Sequence, residues 1–280
     1  MIESLQDALL DTLKIIPYLF VTFIIMELIE HKLNKKNQKL LMDNQKYGPI
    51  VGGLLGSLPQ CGFSTMASNL FSNKVITIGT VVAVFLATSD EMLPIMLSEN
   101  ISFLTIIKII GFKVLIGIIV GLIVDLLYKR KVNNETIGIH EMCESSSCGC
   151  EEKGIIISSL IHTLKIGVFI LFANVIINLA IFKIGEENLS SILLNKNIIT
   201  YFIASIIGLI PNCASSVIIT ELYLNELITT GVLLSGLLTG SGLGILLLFK
   251  ENKNLKENLI VLSIIYLVGV IVGIIVDLVI

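Results

Sequence analysis

Two cysteines, Cys61 and Cys213, end two copies of one unusual hexapeptide. The copies are Gly56-Ser57-Leu58-Pro59-Gln60-Cys61 and Gly208-Leu209-Ile210-Pro211-Asn212-Cys213, each inside a long apolar stretch. Gly and Pro interrupt helices, so each cysteine is expected to begin the helix that follows a break. A helix N-terminus favours the thiolate form of cysteine, and thiolates bind soft metals. The pair therefore predicts a site for a thiophilic ion, with simple packing of two small residues as the alternative.

Polar residues surround both cysteines. Amides precede them, and hydroxyl residues lie on the first turn that follows. The predicted substrate-binding residues are Pro59, Gln60, Cys61, Ser64, Pro211, Asn212, Cys213, Ser215 and Ser216. The hydroxyls of these residues, and that of Thr65, could equally cap the two helices, because Ser and Thr satisfy free N–H groups at helix starts.

Adjacent carboxylates, Asp90 and Glu91, interrupt the apolar run 75–97, and Lys113 lies in the middle of the next one. Ionisable groups inside a membrane are costly and mark ion or proton paths. We expect Asp90, Glu91 and Lys113 to act in ion coupling, with Lys113 paired to one of the carboxylates. The alternatives are solvated carboxylates at the interface and a Lys113 that extends to the membrane surface.

A polar segment between the two halves carries three of the five cysteines and one of the three histidines. His140, Cys143, Cys148 and Cys150 could supply four soft metal ligands. Their spacing fits no standard zinc module, because paired Cys-x-x-Cys elements are lacking. Metal capture and an incidental solvated linker both remain open.

The elements that must position these residues are membrane helices. Hydrophobic residues make up 54% of the chain and charged residues 15%, against roughly 25% charged in soluble domains. Apolar runs near 20 residues, the length that spans a bilayer, occur at 12–30, 75–97, 103–128, 159–182, 229–249 and 258–279. The N-terminus lacks the basic segment of a secretory signal, so the first helix is expected to be retained. No Gly-Lys-Ser/Thr phosphate loop is present.

The chain predicts an internal duplication at an offset of 151–152 residues. Both hexapeptides match, and Gly121-Leu122-Ile123-Val124-Asp125-Leu126 matches Gly273-Ile274-Ile275-Val276-Asp277-Leu278. Asp125 and Asp277 lie near helix ends and predict interfacial anchors. The predicted organisation is a first transmembrane repeat over 1–128, a cytosolic linker over 129–158 and a second repeat over 159–280.

Charge placement predicts how the repeats cross the membrane. If 48–72 and 198–222 are re-entrant hairpins that turn at the breaks, most Lys and Arg residues fall on the cytoplasmic side, as the positive-inside rule requires. Each repeat then has three full transmembrane helices and one hairpin. An odd number of crossings inverts the second repeat, and the fold class is an all-α polytopic membrane protein. The alternative topology, two parallel halves of four helices each, agrees less well with the positive-inside rule.

Three segments resemble those of the ten-transmembrane heavy-metal exporters, relatives of arsenic efflux permeases that are also labelled manganese transporters. They are Leu58-Pro59-Gln60-Cys61-Gly62-Phe63-Ser64, Ala87-Thr88-Ser89-Asp90-Glu91-Met92-Leu93-Pro94 and Ile210-Pro211-Asn212-Cys213-Ala214-Ser215-Ser216. The resemblance covers essentially the whole chain. It implies a multi-pass plasma-membrane permease, with a transported metal or metalloid ion and the lipid bilayer as partners. No nucleic-acid partner, cofactor or enzymatic activity is expected, and homo-oligomerisation is left open.

We therefore expect a secondary active permease that exports a heavy metal or a metalloid of the arsenic type by alternating access, with proton coupling. Transport of manganese or another divalent cation is an alternative, because carboxylates and amides suit harder ions. An organic-anion permease is another, since half-helix N-termini bind anions. An intramembrane dithiol redox protein needs the Cα atoms of the two cysteines within about 7 Å, and a metal-sensing regulator would depend on the linker.

Overall fold

The computed structural model describes residues 47–58, 61–89, 92–99, 101–128 and 197–279, with scattered positions within 16–24 and 156–176 and at Leu193. These residues form ten α-helices, as the all-α prediction requires. In chain order they are α1 Gly48–Gly56, α2 Cys61–Ser72, α3 Ile78–Ala87, α4 Met92–Ser98, α5 Phe103–Leu127, α6 Ile199–Gly208, α7 Cys213–Leu224, α8 Thr230–Thr239, α9 Gly244–Glu251 and α10 Leu255–Val279.

Both hexapeptides interrupt helices where the Gly and Pro residues predict. Helix α1 ends at Gly56 and α2 begins at Cys61, while α6 ends at Gly208 and α7 begins at Cys213. The apolar limbs of each pair are therefore short helices of 9 to 12 residues. At 1.5 Å per residue, each limb reaches roughly 14–18 Å, about half of a bilayer core.

Four described stretches are long and apolar enough to cross a membrane: 78–98, 103–127, 230–251 and 255–279. The predicted spans 12–30 and 159–182 lie largely outside the described residues. The predicted spans 75–97 and 229–249 correspond to two of these stretches, but each is broken into two helices, α3 with α4 and α8 with α9. After Ala87 the backbone of Thr88 turns extended, and the second break contains Gly242 with a φ of 54°.

The long helices α5 and α10 form the periphery. Only 28% and 33% of their most apolar windows are buried, against 75% and 78% in the broken spans. Exposed side chains spaced four apart make one stripe on each helix, Leu115, Ile119 and Ile123 on α5 and Leu267, Ile271 and Ile275 on α10. The two stripes are 152 positions apart, residue for residue, which is the sequence-predicted offset. These faces are suited to lipid.

The broken spans pack in the centre through close helix contacts that recur in both halves. Helix α3 lies against α1 and α5, and α8 lies against α6 and α10. A Cβ placed on Gly56 would meet the carbonyl oxygen of Val84 at 2.5 Å, and one on Gly208 would meet that of Gly236 at 2.1 Å. Only glycine permits these approaches. The second limb of each pair crosses to the other half, α2 against α9 and α7 against α4.

Asp125 and Asp277 each join the C-terminal part of a long helix to the N-terminus of a central helix. The Asp125 carboxylate accepts hydrogen bonds from Thr77 Oγ1 at 2.6 Å and from the backbone N–H of Gly79 at 2.8 Å. Asp277 accepts the equivalent bonds from Thr229 Oγ1 and, at 2.7 Å, from the N–H of Gly231. Each aspartate thus neutralises the positive N-terminal end of a central helix, α3 or α8. This is a more specific role than the interfacial anchor that the sequence predicts.

Candidate functional site

A small cavity lies where three helix breaks meet. It is walled by the break between α3 and α4, the break between α6 and α7, the break between α8 and α9, and the middle of α5. The lining residues are Thr88, Ser89, Met92, Lys113, Gly208, Ile210, Asn212, Ser215, Ser216, Leu237, Gly240, Gly242 and Leu243. Residues from both halves therefore enclose it.

The break between α6 and α7 supplies the polar wall. Asn212 and Ser215 are buried, and Ser216 lies beside them on the first turn of α7. These three predicted residues line the cavity together, and their role in binding a substrate stays a prediction. The Ser215 hydroxyl donates to the carbonyl oxygens of Asn212 at 2.8 Å and Ile210 at 3.2 Å. Both carbonyls lie at the break, so this hydroxyl ties the first turn of α7 to the residues that precede it.

Helix capping, the alternative role predicted for these hydroxyls, is not what the described bonds of Thr65 and Ser215 provide. A cap accepts a hydrogen bond from a backbone N–H, whereas Thr65 Oγ1 donates to the Gly62 carbonyl at 2.8 Å and Ser215 donates as above.

Lys113 forms the wall on the side of α5. Its side chain is fully buried, and its Nζ donates to the carbonyl oxygens of Thr88 and, at 2.8 Å, Leu237. The alternative that Lys113 extends to the membrane surface is wrong, because these carbonyls hold the ammonium inside the protein. Asp90 and Glu91 lie outside the described residues, so the ion pair with Lys113 and the coupling role of all three stay predictions.

Ser64 lies elsewhere, against α9. It is fully buried in α2, and a Cβ on Gly244 would sit 2.8 Å from its Cβ atom. One turn further along, Ser68 Oγ donates to the Gly244 carbonyl at 2.6 Å. Ser64 therefore belongs to the contact between α2 and α9 and not to the walls of the cavity. Pro211, in the break itself, is not among the lining residues either.

The predicted soft ligands are only partly placed. Cys61 and Cys213 are the first residues of α2 and α7, but their side chains lie outside the described part of the chain. The remaining predicted residues outside it are Pro59, Gln60, His140, Cys143, Cys148 and Cys150. Among the residues that the structure does describe, no three His, Cys, Asp or Glu side chains come together. A metal site at the cysteines or in the linker therefore stays a prediction.

Sequence reasoning missed the contribution of the two split spans. Thr88, Ser89 and Met92 enter the cavity from one break, and Gly240 and Gly242 enter it from the other. A signal for both breaks is present, since Thr88-Ser89 and Thr239-Gly240-Ser241-Gly242 are polar or small residues at matching positions of two apolar runs. Thr88 and Thr239 lie 151 positions apart, at the offset of the duplication, so these segments also mark where each span leaves the helix.

The cavity can enclose one small polar species. Its volume, about 20 Å³, is room for roughly one water molecule. Its lining residues carry hydroxyls and an amide, the N-terminal end of α7 borders it, and Lys113 is the one titratable side chain among these lining residues. Met92, Leu237 and Leu243 supply apolar walls, and a low local dielectric strengthens polar interactions beside them.

Comparison with known protein families places the chain among membrane proteins. The model described as "Putative, 10TM heavy-metal exporter" matches residues 1–183 of the 280. The match covers the whole first half, the linker and the first apolar run of the second half. No curated protein and no solved structure matches the chain. The chain belongs to this family of ten-transmembrane heavy-metal exporters and is a multi-pass protein of the plasma membrane.

Proposed function

We propose that the protein is a secondary active permease that exports a soft heavy metal or a metalloid of the arsenic type. The observation that carries the proposal is the polar cavity enclosed by helix breaks from both halves. Broken helices that meet near the membrane midplane are the usual site of transported ions, because only a cavity or a protein interior tolerates unpaired backbone groups there.

Cys61 and Cys213 are the proposed cargo ligands. Each begins a helix of 12 residues, and the positive end of such a helix favours the thiolate that binds soft ions. Helix α7, which starts at Cys213, also brings Ser215 and Ser216 to the cavity. In this proposal the cargo moves between the cysteines and the hydroxyl-lined cavity as the two halves change position.

The proposed threading is that of two inverted repeats, each with one re-entrant hairpin. It is supported by contacts that recur at an offset of 152, namely the aspartate bonds to the N-termini of α3 and α8 and the glycine contacts at Gly56 and Gly208. It is also supported by the limbs α1, α2, α6 and α7, which are too short to cross a bilayer. Alternating access would then exchange the roles of two similar halves.

Asp90 and Glu91 are the proposed proton-coupling groups, and the linker is the proposed cytosolic capture site for the metal. Residues 88–89 and Met92 border the cavity, so the intervening carboxylates are near enough in the chain to act on its cargo. Capture by His140, Cys143, Cys148 and Cys150 would favour export over uptake. Deleting residues 138–153 should then weaken transport without abolishing it.

The test is uptake of arsenite, Zn²⁺, Cd²⁺ and Mn²⁺ into everted membrane vesicles. Wild type is compared with a Cys61→Ser/Cys213→Ser double variant. We expect wild type to accumulate arsenite or a soft metal. The rate of the double variant should be lower by a factor of at least about ten, because losing even a group that only supports a metal ligand reduces activity by such a factor.

A comparison variant, Cys148→Ser/Cys150→Ser, disturbs only the proposed capture site in the linker and should weaken transport much less than Cys61→Ser/Cys213→Ser. Accumulation of Mn²⁺ that ignores Cys61→Ser/Cys213→Ser would move the site to Asp90 and Glu91 and make manganese the cargo. Absence of transport for all four ions would reject the metal assignment and favour an organic anion.

A further inference from the structure

Helices α5 and α10 match in the two halves, but only α5 carries a lysine, Lys113, on its buried face. The buried faces of α5 and α10 correspond residue by residue, with Gly117 facing Gly269 and Gly121 facing Gly273 in the alignment, yet Lys113 corresponds to the fully buried Ile265. Lys113 is ten residues into a 25-residue helix, about 15 Å from its start. An ammonium at this depth is costly unless it has strong partners.

Two of its partners lie at the carboxyl ends of central helices from different halves. The Thr88 carbonyl follows the last residue of α3, and the Leu237 carbonyl lies in the last turn of α8. Carbonyls in the last turn of a helix have no helical N–H partner and carry the negative end of the helix dipole. One ammonium with three N–H donors can serve both ends together.

Such a position is where broken-helix transporters hold a coupling cation, because half-helix carboxyl ends and unwound carbonyls coordinate it. We propose that Lys113 is a tethered cation that occupies this position permanently, joining α3 to α8 and replacing a bound Na⁺. The inference rests on the proposed transport function. Lys113 is then a positioning residue, which sets the distance between the two helix ends that wall the cavity.

The first test needs no variant. Transport by wild type is measured in vesicles with Na⁺, K⁺ or N-methylglucamine as the only monovalent cation. A tethered ammonium makes a soluble cation unnecessary at this position, so the three rates should agree within about twofold, a difference of less than 1 kcal/mol. A strict requirement for Na⁺ would overturn the proposal.

The second test separates a cation role from a packing role. Lys113→Ala opens space beside the two carbonyls, while Lys113→Met fills the same space without charge. We expect both variants to lose at least about tenfold in transport, because two helix ends lose their counter-charge. Added methylammonium should restore Lys113→Ala severalfold, in proportion to its concentration, and leave Lys113→Met unchanged. Lys108→Ala, on the exposed face of α5, is the control and should match wild type.

Lack of any rescue of Lys113→Ala, or full activity of Lys113→Met, contradicts the tethered cation. Thermal unfolding of the purified proteins decides the matter even if no metal is transported. We expect Lys113→Ala to unfold roughly 10 °C below wild type and to regain several degrees in methylammonium by mass action. Lys113→Met and wild type should gain nothing. Transport failure would then reject the proposed function and leave the assignment of Lys113 intact.

Discussion

Valine in place of Gly208 is expected to prevent the protein from folding. A Cβ at this position would lie 2.1 Å from the carbonyl oxygen of Gly236 and 2.3 Å from Thr239 Oγ1. The nearer obstacle is backbone, so no side-chain rotation relieves it, and α6 would have to separate from α8. We expect a loss of more than about 4 kcal/mol in the free energy of unfolding, the range of the most disruptive core substitutions.

The measurement is size-exclusion chromatography and thermal unfolding in detergent. The matched control is Gly111→Ala on α5, where a Cβ has nothing within 4 Å. This change should be neutral or stabilising by up to about 1 kcal/mol, because alanine favours the helix. A monodisperse Gly208→Val protein with an unchanged Tm would mean that α6 and α8 do not approach each other as described.

The second large effect is expected from the two aspartates. Asn in place of Asp125 or Asp277 keeps the shape of the side chain but removes its charge and one acceptor oxygen. Its NH₂ group would then face an N–H or O–H donor at the start of α3 or α8. Hydrogen bonds to a charged group are worth roughly 1.5–3 kcal/mol each, so each variant should lose about 3 kcal/mol of stability.

Tyr201 provides the graded control for this experiment. Its hydroxyl donates to Asp277 Oδ2 at 2.8 Å, whereas the first half has Pro49 at the matching position. Tyr201→Phe removes a single peripheral bond and should cost about 1 kcal/mol. The expected order of Tm values is wild type, then Tyr201→Phe, then Asp277→Asn. Equal Tm values for wild type and Asp277→Asn would show that the bonds do not stabilise the fold.

The sequence predicts the helix breaks at the hexapeptides well because their signals are local. Gly56 and Gly208 end helices, and Cys61 and Cys213 begin them, as the flanking Pro and the apolar limbs indicate. The offset between halves is equally visible, since the buried and exposed stripes of α5 and α10 follow residue type directly. Asn212, Ser215 and Ser216 line the cavity together because they follow one another closely after the second break.

The partners of buried polar groups cannot be predicted in this way. Lys113 bonds to Leu237, 124 positions away, and no pattern in either helix indicates that meeting. The splits after Ala87 and Thr239 escape prediction for a related reason. Average hydropathy counts apolar residues across a run, but it is insensitive to a backbone that leaves the helix for a few residues among them.

The contact between α2 and α9 constrains the order in which the protein can be assembled. The hydrogen bond between Thr77 and Asp125 joins residues 48 positions apart, so it can form as soon as the first half is made. The hydrogen bond between Ser68 and Gly244 joins residues 176 positions apart. At roughly 5–20 residues per second of synthesis, α2 waits for α9 on the order of ten seconds after the first half is closed. Ser68 also bonds to the Ser64 carbonyl of its own helix at 3.0 Å, a partner that is available throughout this wait. The nascent chain can thus hold this hydroxyl within α2 in the membrane until ribosomal synthesis delivers the second half.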